Sequence, residues 1–147
     1  MDIYSYIKQD HRHISHLMES LLLTQSIARR KMLFDEIKSE LSLHSETEKA
    51  TFYNVLERHS STCSAVKHAE KEHQQITDYL SELSRISISN DNWLERFALF
   101  KQALQQHVEE EENRMFEKAR RILSRQASVE LAMEMDALKR QIPKLAA

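Results

Sequence analysis

Apolar residues recur along this chain every three or four positions, in four long stretches set apart by short polar runs. The first stripe reads Ile3, Ile7, His11, Ile14, Met18, Leu21. The second reads Phe34, Ile37, Leu41, His44, Glu48, then Thr51 and Phe52 together, then Val55. The third is Val66, Ala69, His73, Ile76, Leu80, Leu83, and the fourth Trp93, Phe97, Phe100, Leu104, His107, Glu111, Met115. Spacing that alternates between three and four is the seam of helices packed side by side. Polar breaks fall at residues 24–28, 60–64, 87–92 and 124–128, the third offering Ser, Asn and Asp as N-caps before Trp93. Helices of about 20–30 residues run roughly 30–45 Å. Four of them joined by short turns predict an all-α, up-down-up-down four-helix bundle. Residues 129–138 predict a short amphipathic fifth helix that Pro143 ends. It would cap the bundle or serve as a dimer contact. The expected organisation is a single domain over residues 1–147, with the bundle over about 3–125 and the last helix over about 127–142.

Composition narrows the chemistry. The 147 residues include no glycine, one proline and one cysteine, against eight histidines. Without glycine, tight hairpins and Gly-rich phosphate loops are disfavoured, which argues against Rossmann and P-loop chemistry and against a β-sandwich. With 21 Lys and Arg against 23 Asp and Glu, the net charge is −2, so no basic excess points to nucleic acid. No apolar run is long enough for a membrane span, and the first residues lack a signal peptide's apolar core. A lone cysteine fits a reducing compartment, and a cytoplasmic location is the expectation.

The stripes carry the chemistry. Each is interrupted by one histidine: His11, His44, His73 and His107. Glu48 and Glu111 follow His44 and His107 by four residues and so share their faces. A carboxylate in a bundle core costs several kcal/mol unless it is neutralised. The stripes hold no Lys or Arg near either glutamate. A metal ion resolves the conflict, since imidazole nitrogen and carboxylate oxygen are natural ligands of iron or manganese.

Taken together, Asp10-His11, His44-x-x-x-Glu48 with Phe52-Tyr53, Glu72-His73, and His107-x-x-x-Glu111-Glu112 with Phe116 resemble the hemerythrin family in its bacterial HHE cation-binding branch. The resemblance spans about residues 3–122, one piece per helix. It implies a bundle holding two non-haem irons, oxo- or hydroxo-bridged, with manganese or zinc compatible with the same donors. Glu48 and Glu111 would bridge the ions and the four histidines would bind them terminally. The implied partner is a small diatomic ligand, O₂ or nitric oxide, or peroxide, bound by a monomer or homodimer for sensing, detoxification or storage. An iron-responsive regulatory or interaction module, its fold stabilised by metal, is the alternative, and no enzymatic turnover is assigned. Two departures stand out. Oxygen-carrying members have a fifth histidine where this chain has Ala69, and an Asp five residues after the fourth-helix histidine where it has Glu111 at four. Six ligands are therefore counted rather than seven, with His68, His16, Glu72 or a water left to supply another.

The remaining residues read more plainly. His13, His16 and His59 fall on the surface, and Trp93 anchors a helix start. Tyr4 and Tyr53 lie near the interior, where packing is the expected role and hydrogen bonding to a bridging oxygen the alternative. Cys63 is expected to be inert. The acid run at 109–112 reads as a solvated face plus one inward residue, and Met18, Met115, Met133 and Met135 as core or interface filler.

Overall fold

In the computed structural model, residues 1–143 are described. Their regular elements are all helical: α1 (Ile3–Leu23), α2 (Ile27–Glu48), α3 (Asn54–Glu57), α4 (Cys63–Arg85), α5 (Trp93–Glu110), α6 (Phe116–Arg120) and α7 (Arg125–Gln141). A π-helical turn at Lys49–Tyr53 joins α2 to α3 in one rod, and another at Glu111–Met115 joins α5 to α6. With α1 and α4 these rods make the up-down-up-down bundle, α1 packing on α2 and α4 on α5.

Three of the long helices start at side-chain caps. Asp2 accepts from the Ser5 amide at 2.9 Å and opens α1, Ser26 accepts from the Arg29 amide and opens α2, and Ser124 accepts from the Ala127 amide and opens α7. The break before Trp93 behaves differently from the sequence expectation. Asn92 takes the cap position without a side-chain bond, while Asn90 Oδ1 accepts from the Asn92 amide. Trp93 is fully buried and donates from Nε1 to the Leu83 carbonyl, tying the start of α5 to the end of α4.

The π turns change the phase of the inner face. In an α-helix each residue advances by about 100°, so three in a row cannot all face inward. The wider turn at Lys49–Tyr53 buries Thr51, Phe52 and Tyr53 together. Downstream, Leu56 rather than Val55 faces the core, and Val55 is only half-buried. The second π turn likewise buries Met115 and Phe116 as neighbours.

The buried residues form two apolar clusters. One contains Ile14, Met18, Phe34, Leu41, Trp93, Phe97, Phe100 and Leu104. The other contains Ile3, Ile7, Phe52, Leu56, Val66, Phe116, Leu131 and Met135. His11, His44, Glu48, His107 and Glu111 are buried yet belong to neither, and in sequence they fall between the contributions of each helix to the two clusters. The polar layer is therefore sandwiched along the bundle axis.

The last helix spans Arg125–Gln141. It packs against α1, α2 and the Lys49–Tyr53 turn, burying Ser128, Leu131, Ala132 and Met135. Tyr6 donates to Asp136 at 3.0 Å, and Lys139 pairs with Asp10. Met133 is exposed, so it is not core filler. Among the described residues no helix is long and apolar enough to cross a membrane.

Candidate metal centre

The six sequence-predicted residues come together. His11 lies on α1, His44 and Glu48 on α2, His73 on α4, His107 on α5, and Glu111 at the first position of the second π turn. Glu48 and Glu111 are 0% and 2% exposed. They belong to two groups of four at once: His11, His44, Glu48 and Glu111, and Glu48, His73, His107 and Glu111. In each group one donor atom per residue lies within 4.8 Å of the others.

The imidazoles present Nε2 to this layer. His11 Nε2 is 3.2 Å from Glu111 Oε1, and His44 Nε2 is 3.5 Å from Glu48 Oε1. His73 Nε2 lies 3.6 Å from Glu48 Oε1, and His107 Nε2 lies 3.7 Å from Glu111 Oε2. The Nε2 atoms of His73 and His107 are 2.9 Å apart. Many of these approaches lack hydrogen-bond alignment. The buried atoms His11 Nε2, His44 Nε2, both carboxylate oxygens of Glu48, and Glu111 Oε1 have no hydrogen-bond partner. Buried polar atoms are normally satisfied. So many orphans converging on one layer, all imidazole nitrogens or carboxylate oxygens, are what a cation-holding site presents, and the donor set fits such an ion.

Three acids that the sequence reading left without this role brace the rings from behind. His11 Nδ1 donates to Glu112 at 2.6 Å, His44 Nδ1 to Asp10 at 2.8 Å, and His107 Nδ1 to Glu72 at 2.9 Å. Since a carboxylate only accepts, the proton is placed on Nδ1 and Nε2 is turned inward. That arrangement orients a metal-binding histidine and raises its basicity. Each acid sits next in sequence to a member of the set on a neighbouring rod: Asp10 beside His11, Glu72 beside His73, Glu112 beside Glu111. That adjacency was the signal available in the sequence. The run at 109–112 is accordingly more than a solvated face, since Glu110, Glu111 and Glu112 all have partners.

Tyr53 also departs from the packing role. Its hydroxyl donates to Glu111 Oε2 and stands 3.5 Å from His73 Nε2. The second π turn begins at Glu111 and the first ends at Tyr53, so both partners sit on re-phased backbone. Tyr4 keeps the packing role, edge-on to Phe52 and Phe116, with its hydroxyl unpartnered.

Burial raises Glu48 to about 7, reinforced by the charge of Glu111. Burial pushes Glu111 up too, but contact with His11 and the charges of His107 and His11 outweigh it and hold the carboxyl well below its usual range. Burial pulls His44 down, yet Glu48 and Asp10 raise it to about 10, and Glu111 and Glu112 likewise raise His11 to about 9. For His73, burial and the nearby charge of His107 prevail and lower it to about 3. The Tyr53 hydroxyl is pushed well above 10 by burial and by the charge of Glu111, so it remains a donor.

The four histidines open onto a cavity of about 1130 Å³ that Ile14, Met18, Leu41, Ile76, Leu80 and Leu104 also line. Lys38 donates to Ser84 at 3.4 Å, linking α2 and α4 beside it. The other histidines stay outside. His13, His16 and His59 are exposed, and His68 faces Glu110 at 3.2 Å instead of the centre. Of the further ligands left open by sequence, Glu72 acts through His107, and Ala69 fills its position with a buried methyl group.

Fold and cluster together define a class: a four-helix bundle with a buried histidine–carboxylate centre. The family model of the hemerythrin HHE cation binding domain matches residues 2–119, and the chain belongs to that family. A similar solved structure is that of a hemerythrin HHE cation binding domain-containing protein from Mycobacterium kansasii. It is 28% identical with a TM-score of 0.86, over 96% of this chain and 86% of that one. No curated protein matches the chain.

Proposed function

We propose that this chain is a non-haem di-iron protein that binds O₂, nitric oxide or peroxide at a metal pair in the bundle core. The observation that carries the reading is the sharing of Glu48 and Glu111 by two four-residue groups, each completed by two histidines of its own. Two carboxylates held in common supply negative charge between two cations and keep them close. His11 and His44 would hold one ion, and His73 and His107 the other. Iron in such a nitrogen and oxygen site supplies electron exchange with small oxidants, and manganese or zinc suits the same donors. The chain's own part is positioning. Glu112, Asp10 and Glu72 hold three rings in register, Tyr53 donates to Glu111, and the apolar side chains from Ile14 to Leu104 line part of a cavity wide enough to admit a small molecule. Six protein ligands for two ions leave room for an exogenous one.

Iron analysis and a visible spectrum of protein purified from iron-fed cells test the reading. About two irons per chain and a charge-transfer band in air are expected, while fewer than about one iron and no band would overturn it.

A second reading makes the centre a stabilising element of an iron-responsive regulatory module. The orphaned oxygens of Glu48 favour it, because metal loss would leave them without a bonding partner. A cation that binds only the folded chain stabilises it by mass action. A large fall in melting temperature on chelation, with no reaction toward peroxide or nitric oxide in the loaded protein, would select this reading over the first.

A further inference from the structure

The last helix reaches the metal layer without entering it. Asp10 accepts from His44 Nδ1 at 2.8 Å and presents the same Oδ2 to the ammonium of Lys139 on α7. Lys139 is tied down in turn, its Nζ standing 4.7 Å over the Tyr6 ring. The Tyr6 hydroxyl donates to Asp136 at 3.0 Å, and Asp136 lies one turn before Lys139 on α7. Tyr6 and Asp10 are four residues apart on α1, so they share a face. Two residues of one helix thus interlock with two of another, and the contacts end on a ring of the centre.

The geometry shows what Lys139 adds. The side chains of Lys139 and Asp10 are 17% and 21% exposed, so water reaches this carboxylate. A partly exposed carboxylate with no other tie is free to turn from His44 to solvent. The ammonium pins the one oxygen that His44 uses, which keeps the proton on Nδ1 and leaves Nε2 facing Glu48. A docked helix delivers that ammonium, since α7 packs on α1 and α2 and buries Leu131 and Met135. Charge works the other way, because a cation this near disfavours a second one at His44. Position and charge therefore predict opposite signs when Lys139 is removed.

We propose that Lys139 is a positioning residue for the metal centre, acting through Asp10 on His44, and that docking of α7 is thereby linked to retention of the ion at His11 and His44. The inference rests on the metal-centre reading above. Linkage is reciprocal: the factor by which docked α7 strengthens retention is the factor by which a bound ion suppresses undocking of α7. The last helix then carries the state of the centre to the molecular surface.

The test is release of Co(II) from the loaded full chain to excess chelator, followed by the absorption of the bound ion. Wild type is compared with Lys139→Met, which keeps the apolar stem and removes the ammonium, and with Lys139→Arg, which restores a cationic donor. Circular dichroism checks the fold. In Lys139→Met the ion held by His11 and His44 is expected to leave about tenfold faster, the lower end of what supporting partners are worth. The ion held by His73 and His107 should keep its rate, and Lys139→Arg should release both ions as wild type does. Slower release in Lys139→Met would make charge the governing effect and overturn the positioning role. Unchanged release would overturn it as well and leave the centre standing. Equal acceleration of both ions would mark a general loss of packing and also overturn it. The reciprocal readout is amide hydrogen exchange over Arg125–Gln141. Co(II) loading of wild type should slow exchange there by about tenfold, a slowing that Lys139→Met loses in α7 and keeps in α2. Exchange in wild-type α7 that ignores the metal would overturn the linkage. A wild type that binds no Co(II) would overturn the metal-centre reading itself.

Discussion

His11 and His44 are 8% and 3% exposed, and each has a carboxylate on Nδ1. On the other side of Glu48 and Glu111, His107 has such a support in Glu72. His73 has none among the described residues, and its side chain is 17% exposed. The brace on His44 runs further still, because Asp10 is also paired with Lys139 of α7. One half of the centre is therefore clamped by three rods and the last helix, and the other keeps one ring held mainly by its neighbours His107 and Tyr53. Identical residue types thus yield unequal halves. On the proposed di-metal reading, the firm half would serve retention and the looser half exchange and exogenous ligands.

The largest expected effect comes from removing what both halves share. In a Glu48→Leu, Glu111→Leu variant, metal content falls to near zero by metal analysis. The metal-free variant is also expected to be less stable than the metal-free parent at pH 7, by up to about 3–5 kcal/mol in denaturant melts, because removing the carboxylates strands the buried His11 and His44 that they hold protonated. Equal metal content in variant and parent would remove the basis for comparing two halves at all.

Next comes the inequality itself. Chelation of the loaded protein is expected to be biphasic, the ion of the His73 half leaving first. Supporting partners are typically worth about 10–100-fold in metal affinity, so Asp10→Asn should weaken the other half by that factor and bring the two phases together. A single phase in wild type, followed by absorption during competition with a chelator, would contradict the asymmetry.

A smaller effect is in pH. His11 and His44 are raised to about 9 and about 10, so at pH 7 both hold protons that an incoming cation must displace. His73, lowered to about 3, is already neutral there. Loading the His11–His44 half should therefore release more protons, and its affinity should climb more steeply with pH up to that range. In the metal-free chain the sign runs the other way. The raised pair contributes stability that is complete below about pH 6.5 and is lost as pH rises through 9 to 10. Calorimetric titration in buffers of different ionisation enthalpy measures the protons released.

The firm half was also the more legible in sequence. The stripe from Phe34 to Glu48 sets the phase of α2, and His11 interrupts an otherwise apolar stripe, so periodicity alone aims His11, His44 and Glu48 inward. Two things were hidden. The π turns are not visible in a 3.6-residue period, so Val55 was read inward where Leu56 is. The Nδ1 acids act between rods, and a single-helix pattern does not show which histidine of a neighbouring rod an acid will meet. Asp10 and Glu72 stand beside one histidine in sequence and support another in space. Tyr53 was read as packing, with hydrogen bonding to a bridging oxygen as the alternative, and its bond to Glu111 was hidden for both reasons at once, since it ends a π turn and its partner lies on another rod.

Tyr53 therefore offers the finest test of the two halves. Its hydroxyl donates to Glu111 and stands 3.5 Å from His73, so it leans on the shared carboxylate from the looser side. Tyr53→Phe removes one donor and keeps the ring packed against Phe52 and His73. The cost to stability should be only about 1 kcal/mol, the usual size of one hydrogen bond. Metal content should stay at the wild-type level. What should move is the fast phase of chelation, because Glu111 loses an orienting contact on the His73 side, while the slow phase, held by Asp10 and Glu112, keeps its rate. A change confined to the slow phase would place the hydroxyl's influence on the clamped half and reverse the assignment of the two roles.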